Sequence, residues 1–232
     1  MNKGDLIQKY INDRNYSTYL EIGVFKGVGF LPIECGSKIA VDPKFKIDFI
    51  FLLKRIIRYP GNIRNRYFQI SSEQFFANKA DKLFEKNSLD ITLVDGLHTF
   101  RQSLQDILNS LNYLNDDGVI LVHDCFPPHK AASTPAKSIE EARLMNIPGW
   151  DDLWCGDVWK SIVYLKKKYS KSLNIVTIND DFGIGVIEKT IKGAINLLID
   201  EVLFAEIDLL NYNNLTMDTS LINLIEPEDF SL

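Results

Sequence analysis

Four short segments carry the side chains best suited to acid–base or ligand chemistry: Asp42, Asp95, His98 and the pair His123-Asp124. Asp42, Asp95 and His123-Asp124 each follow an apolar run, Ile39-Ala40-Val41, Leu89 to Val94 and Val119 to Val122 respectively. Such runs read as buried strands. In open α/β sheets the ligand site lies along the C-terminal edge of the strands. These residues are far apart in the chain but should meet at one rim. Asp95, His123 and Asp124 offer hard oxygen donors and one imidazole, a set that suits a divalent cation. Magnesium prefers the oxygens, and manganese or iron better tolerates the imidazole. Such an ion would lower the pKa of a substrate hydroxyl. His98, three residues beyond Asp95, suits a general base, with Asp95 beside it in the catalytic pair. Plainer readings compete. Asp95 can cap the next helix, His123 can be a satisfied half-buried imidazole, and His129 reads as a loop residue. Cys125 has no hydrolase pattern around it.

A second signal is Tyr19-Leu20-Glu21-Ile22-Gly23-Val24-Phe25-Lys26-Gly27. It is a short strand running into a turn with two glycines. Asp42 closes the following strand fifteen residues after Gly27. The glycines allow close approach of the backbone to a ligand, and the acid can accept from both hydroxyls of a ribose. The spacing Glu-x-Gly-x-x-x-Gly is not the dinucleotide fingerprint, and Glu21 would repel a phosphate. A nucleoside with a cationic amino acid end fits better, which points to S-adenosylmethionine. The ordinary alternative is a plain strand-to-helix turn. Ser71 or Ser72 opens a helix after the third strand, where its hydroxyl and the helix amides can meet an adenine edge.

The elements that must position these groups follow from pattern. At 232 residues the chain suits a single domain. Residues 4–14 read as an amphipathic helix covering the sheet edge or the cofactor mouth. Strands are expected near 18–23, 38–42, 67–70, 89–95 and 118–122. Helices are expected near 72–84, 99–114 and up to 168, the last capped by Asp157. Pro32 stunts the first crossover. Residues 174–178 and 184–187 form a hairpin, which places one antiparallel strand in a mostly parallel, doubly wound α/β sheet. A Pro-, Ala- and Ser-rich loop over 125–152 reads as a site rim. The three tryptophans, Trp150, Trp154 and Trp159, follow as an acceptor wall or as loop anchors.

Charge is uneven. Residues 44–66 hold seven Lys or Arg and one acid, Asp48, whereas residues 193–232 hold eight acids and no Lys or Arg. The basic insert reads as an amphipathic helix with a solvated face, or as a rim attracting an anionic substrate. The acidic extension, helical from Ala194 to Leu210, should pack on the body or on a second subunit, and the two charged segments can meet. A net charge of -5 and pI near 5.3 argue against nucleic acid as the main partner. No stretch reaches membrane-spanning length, so no membrane partner is expected. Three cysteines without a pairing pattern suit a cytoplasmic location.

Taken with Val41-Asp42-Pro43, Val94 to Phe100, Val119 to Pro127 and Asp181 to Ile187, the glycine stretch resembles the class I S-adenosylmethionine-dependent methyltransferases. The similarity runs over roughly residues 15–190. It is nearest to the branch of macrocin O-methyltransferase and CmcI-like enzymes (methyltransferase domain family 24), with catechol O-methyltransferases more distant. The resemblance implies a seven-stranded sheet with the last strand antiparallel. It implies cofactor binding by Glu21, Gly23, Gly27, Asp42 and Asp95, with Asp95, His123 and Asp124 at the ion positions. Metal-dependent relatives carry an acid where this chain has His123, and catechol-type enzymes a lysine where it has His98. The expected activity is methyl transfer to a hydroxyl of a small, anionic or sugar-like metabolite, with a homo-oligomer as a further expectation. An N-methyltransferase without metal and a non-catalytic cofactor-binding protein are the alternatives.

Overall fold

The computed structural model describes residues 2–193, 195 and 197–232. Helix α1, Lys3–Arg14, is capped by the side chain of Asn2 and ends on Asn15 in the left-handed region, a conformation Asn tolerates. Its Leu6, Ile7, Tyr10 and Ile11 are buried, as their i, i+1, i+4, i+5 spacing requires. Each such side chain contributes roughly 1.5–3 kcal/mol of burial. Strands β1, Thr18–Ile22, and β2, Ser37–Val41, follow. Residues 23–36 between them form turns without a helix, as Pro32 predicts. The buried Lys38 ammonium satisfies that irregular backbone, donating to the carbonyls of Phe30 (2.9 Å) and Ile33 (2.6 Å) and to Asn62 Oδ1 (2.8 Å).

Helix α2, Phe49–Arg58, then leads to β3, Arg66–Phe68. The expected helix over 72–84 breaks at Lys79 into α3, Ser72–Asn78, and α4, Ala80–Leu83. The rest of the expected alternation follows as β4, Leu89–Val94, α5, Phe100–Leu111, and β5, Leu114–Val122. Past α6, Ile139–Leu144, come α7, Trp159–Tyr169, and the hairpin β6, Leu173–Ile178, and β7, Ile184–Lys189. The acidic extension forms α8, Glu201–Asp208, α9, Tyr212–Met217, and β8, Leu224–Ile225. Its helix starts at Glu201. The expected start at Ala194 falls on a residue outside those described.

The sheet order is β3-β2-β1-β4-β5-β7-β6-β8. β7 is antiparallel to both β5 and β6, and the remaining pairs are parallel. The expected seven strands with one antiparallel member are present, and β8 adds a short eighth at the edge. Alternation along β1 sends Leu20 and Ile22 into one buried cluster with α5 and α7, and Tyr19 into another beneath α1. Helices thus cover both faces, which is why the strands read as nearly continuous apolar runs.

Two charge expectations are corrected. Among the described residues, the acidic extension forms no ion pair with the basic insert. Its acids pair with α5 and α7 instead: Arg101 with Glu201 in a two-pronged contact (2.8 and 2.7 Å), Lys167 with Glu206 (2.6 Å) and Lys160 with Asp208 (3.3 Å). Phe204 also stacks on Phe100 at 4.1 Å between centroids. Asp157 does not cap α7 with its side chain. Its Oδ1 accepts from the Phe100 amide at the start of α5 (2.7 Å), and its Oδ2 lies 3.4 Å from the buried Lys160 ammonium. Asp157→Ala therefore removes a cap and a buried ion-pair partner together. A loss of about 2–4 kcal/mol is expected, measured as a lower urea midpoint with unchanged slope.

Candidate active site

The C-terminal ends of β1, β2, β4 and β5 open into a cavity of about 660 Å³. That size suits a small-molecule cofactor with its substrate. Asp42, Asp95, His98, His123 and Asp124 all line it, together with Gly23, Ser71 and Ser72. The sequence-predicted residues converge at one rim, with two exceptions. Glu21 and Gly27 do not line the cavity. Glu21 alternates with Ile22 along β1, so its carboxyl turns beneath the sheet, where the Tyr19 hydroxyl donates to it. Burial pushes Glu21 up to about 7 against that hydrogen bond.

Gly23 is required by close approach. Its φ is +93°, and a Cβ there would lie 1.9 Å from the carbonyl oxygen of Asp95. The ends of β1 and β4 meet only because this position has no side chain. Asp42 ties β2 to the same turn. Its Oδ2 accepts from the Phe25 amide and its Oδ1 from the Lys44 amide, both at 2.7 Å. With one bond on each oxygen, the carboxylate keeps lone pairs for two vicinal hydroxyls. Ser71 caps α3 in a reciprocal capping box with Gln74. Ser72 Oγ accepts from Gln102 Nε2 (3.1 Å), which also donates to Asp106 Oδ1 (2.9 Å). Asp106 lies almost fully buried under this corner, and burial pushes it up to about 7 despite those donors.

The acid–base cluster lies across the cavity. Lys3, from the first turn of α1, reaches Asp95 Oδ2 at 2.6 Å and stands 3.4 Å from His123 Nδ1. Its backbone amide donates to Asp181 Oδ2 (2.9 Å). His123 is a hub between carboxylates: Nδ1 is 3.2 Å from both Asp95 and Asp124, and Nε2 is 3.5 Å from Asp181. Burial alone would lower its pKa, but the Asp124 and Asp95 charges outweigh it and raise it to about 12. Asp95 is held well below the usual carboxylate range: burial opposes ionisation, and His123, Lys3 and His98 overcome it. The contact with His123 likewise lowers Asp181 to about 2. Asp124 carries φ +64°, a conformation rare outside glycine and concentrated at functional sites.

His98 is fixed from behind. Its Nδ1 lies 2.7 Å from the Trp154 carbonyl, an oxygen that can only accept. Nδ1 therefore holds a proton, and Nε2 stands 3.7 Å from Asp95 Oδ1. The Trp154 ring stacks on the imidazole at 5.3 Å. Trp154 is thus a cavity wall, whereas Trp159 is core and Trp150 bonds Asp152 at the surface. His129 holds the loop, with Nδ1 accepting from the Ala132 amide and Nε2 3.2 Å from Asp151.

Among the described residues, Asp95, His98 and Asp124 each offer a donor atom close enough to the others to share an ion, and the expected third ligand, His123, lies 3.2 Å from both carboxylates. His123 faces three carboxylates. Lys3 already places an ammonium on Asp95. An ion bound at Asp95 would have to displace that ammonium. Lys3 and Asp181 were not foreseen. Lys3 comes from a segment without a local motif, and Asp181 opens the Asp181 to Ile187 stretch, which reads in sequence only as a hairpin turn.

Residues 20–125 match the sequence profile of a family described as a methyltransferase domain. No curated protein matches the sequence. Among solved structures, similarity extends to the Podospora anserina methyltransferase PaMTH1 bound to SAH, with TM-score 0.59 and 16% identity over 82% of this chain and 78% of that one. It extends also to a Staphylococcus aureus protein proposed as a caffeoyl-CoA O-methyltransferase (TM-score 0.55, 16% identity, 80% and 82% covered). A Klebsiella pneumoniae protein proposed as an O-methyltransferase aligns at TM-score 0.55 and 9% identity, with 82% and 80% covered. Residues 20–125 thus carry the profile of a methyltransferase domain, and the chain shares its fold with these three solved structures.

Asp106 gives a pH test of the cavity floor. Its folded pKa, raised to about 7, means that the folded state keeps a proton between roughly pH 4 and 7 that the unfolded chain has released. Its contribution is therefore full at low pH and lost as pH rises through that window. Asp106→Asn should reduce this fall by on the order of 2–4 kcal/mol, read from urea unfolding at pH 4.5 and 7.5. An unchanged fall contradicts the placement.

Proposed function

We propose that this protein transfers a methyl group from S-adenosylmethionine to a hydroxyl of a small metabolite, with His98 as general base and with Lys3 supplying the positive charge of the site. The observation that carries this reading is the His98 imidazole, fixed through Nδ1 and lining the same cavity as Asp42. Asp42 suits the ribose hydroxyls, and Ser71, Ser72 and Gln102 form a polar edge suited to adenine. Gly23 and Asp95 would complete the cofactor side. The O-methyltransferase descriptions of the Staphylococcus and Klebsiella proteins support a hydroxyl acceptor.

S-adenosylmethionine supplies a methyl on a sulfonium sulfur: the acceptor oxygen forms a bond to that carbon, the carbon–sulfur bond breaks, and a neutral thioether leaves. His98 Nε2 takes the hydroxyl proton as the oxygen attacks. The resulting imidazolium is stabilised by Asp124, whose Oδ2 lies 3.3 Å from Nδ1. Lys3 and His123 balance the carboxylates, so the cluster tolerates this proton movement without a metal. Trp154 shields the imidazole from water on one face and would pack against the acceptor. Holding donor and acceptor in line is the larger part of the catalysis.

Asp42→Ala is expected to weaken S-adenosylmethionine binding by tenfold or more in a calorimetric titration. His98→Ala should keep that affinity within a few-fold and lower turnover by about 10²–10⁴, assayed with a labelled methyl donor across a panel of phenolic, sugar and hydroxy-acid acceptors. Undiminished turnover in His98→Ala removes the base assignment. Wild-type transfer confined to amines would favour the N-methyl reading.

A further inference from the structure

The insert between β2 and β3 is not absorbed by the catalytic reading. None of the ten residues of α2 is buried. The helix rests on the body through Phe51 and Leu52, which pack partly against the core beneath α1. On a helical projection these two lie on one side. The opposite side presents Phe49, Ile50, Leu53 and Ile57, which are 70%, 62%, 44% and 80% exposed. Lys54 and Arg58 flank this apolar stripe along one border. Ile63 in the turn that follows is 72% exposed. Lys44, Lys46, Arg64 and Arg66 add charge on either side in sequence. Among the described residues, none of the seven cations of residues 44–66 forms an ion pair.

We propose that α2 is a membrane-surface anchor that lays its apolar stripe into the headgroup region of an anionic phospholipid bilayer. An outward apolar stripe bordered by Lys and Arg is the pattern of helices that lie in the interface plane. The long cationic side chains can reach lipid phosphates while their stems stay with the acyl boundary. The charge layout favours this occupant. α2 joins the strands at one end of the sheet, and the acidic extension supplies β8 at the other, so an approach by α2 leads with positive charge. A second copy docked face to face would bring two uncompensated basic stripes together. An acidic protein partner would need a groove for its side chains, and this surface is a convex helix. The Lys46 amide donates to the Phe25 carbonyl (2.9 Å), and Phe25 lines the cavity. The anchor is therefore joined to the rim of the site and would bring its mouth close to the bilayer. No helix among the described residues is long and apolar enough to cross a membrane, so the attachment is peripheral. This revises the expectation of no membrane partner.

The test is co-sedimentation of the full chain with vesicles of phosphatidylcholine alone or with phosphatidylserine added to about 40%. The binding expected from such a face is at least tenfold stronger to the anionic vesicles and falls steeply with salt. Phe49→Ser/Ile57→Ser and Lys54→Glu/Arg58→Glu alter only exposed side chains. Each pair should cut binding at least tenfold with an unchanged circular dichroism spectrum and melting temperature. Equal sedimentation with both vesicle types overturns the proposal. So does binding that survives loss of the apolar pair, which would mark a contact with any polyanion. Tighter binding to polyglutamate than to vesicles, or a dimer in sedimentation velocity that Phe49→Ser/Ile57→Ser dissolves, assigns the face to protein and also overturns it.

Discussion

Three carboxylates, Asp95, Asp124 and Asp181, are held against two cations, Lys3 and His123, at the edge of the sheet. Gathering partly buried anions is costly unless they are paired and hydrogen-bonded. Here the pairing comes from four segments: the first turn of α1, the loops after β4 and β5, and the hairpin between β6 and β7. None of these can make the cluster alone. Docking of α1 through Leu6, Ile7, Tyr10 and Ile11 is therefore also the step that delivers the ammonium of Lys3. Packing and site assembly are coupled at this point.

An acid at position 123 would add a fourth negative charge and a further ligand. His123 does the opposite, entering as a cation between its neighbours. With Lys3 on Asp95, the charge that an ion would supply is already present in the chain. His98 is fixed beside Asp95, its Nδ1 engaged by the Trp154 carbonyl.

Much of this arrangement was legible in the residues. Apolar runs ending in Asp42, Asp95 and His123-Asp124 could only be buried strands with polar ends, and the topology brings those ends together. Pro32 ruled out a regular first crossover. What escaped had tertiary causes. Lys3 lies 92 residues from Asp95, and Asp157 caps a helix 57 residues away. The orientation of Glu21 was readable in principle from alternation, since Leu20 and Ile22 claim the opposite face of β1. The glycine turn drew the carboxyl towards the ligand in that reading, and the period of two along the strand decided otherwise. The basic insert reads as an amphipathic helix with a solvated basic face. The structure turns most of its apolar side outward as well, because only Phe51 and Leu52 pack against the body.

The central claim is that Lys3 supplies the cation of the site. It is tested most directly by calorimetric titration of manganese into the wild-type chain saturated with S-adenosylmethionine. The account predicts no stoichiometric binding. A one-to-one isotherm, with methyl transfer abolished by a chelator and restored by the ion, would contradict it.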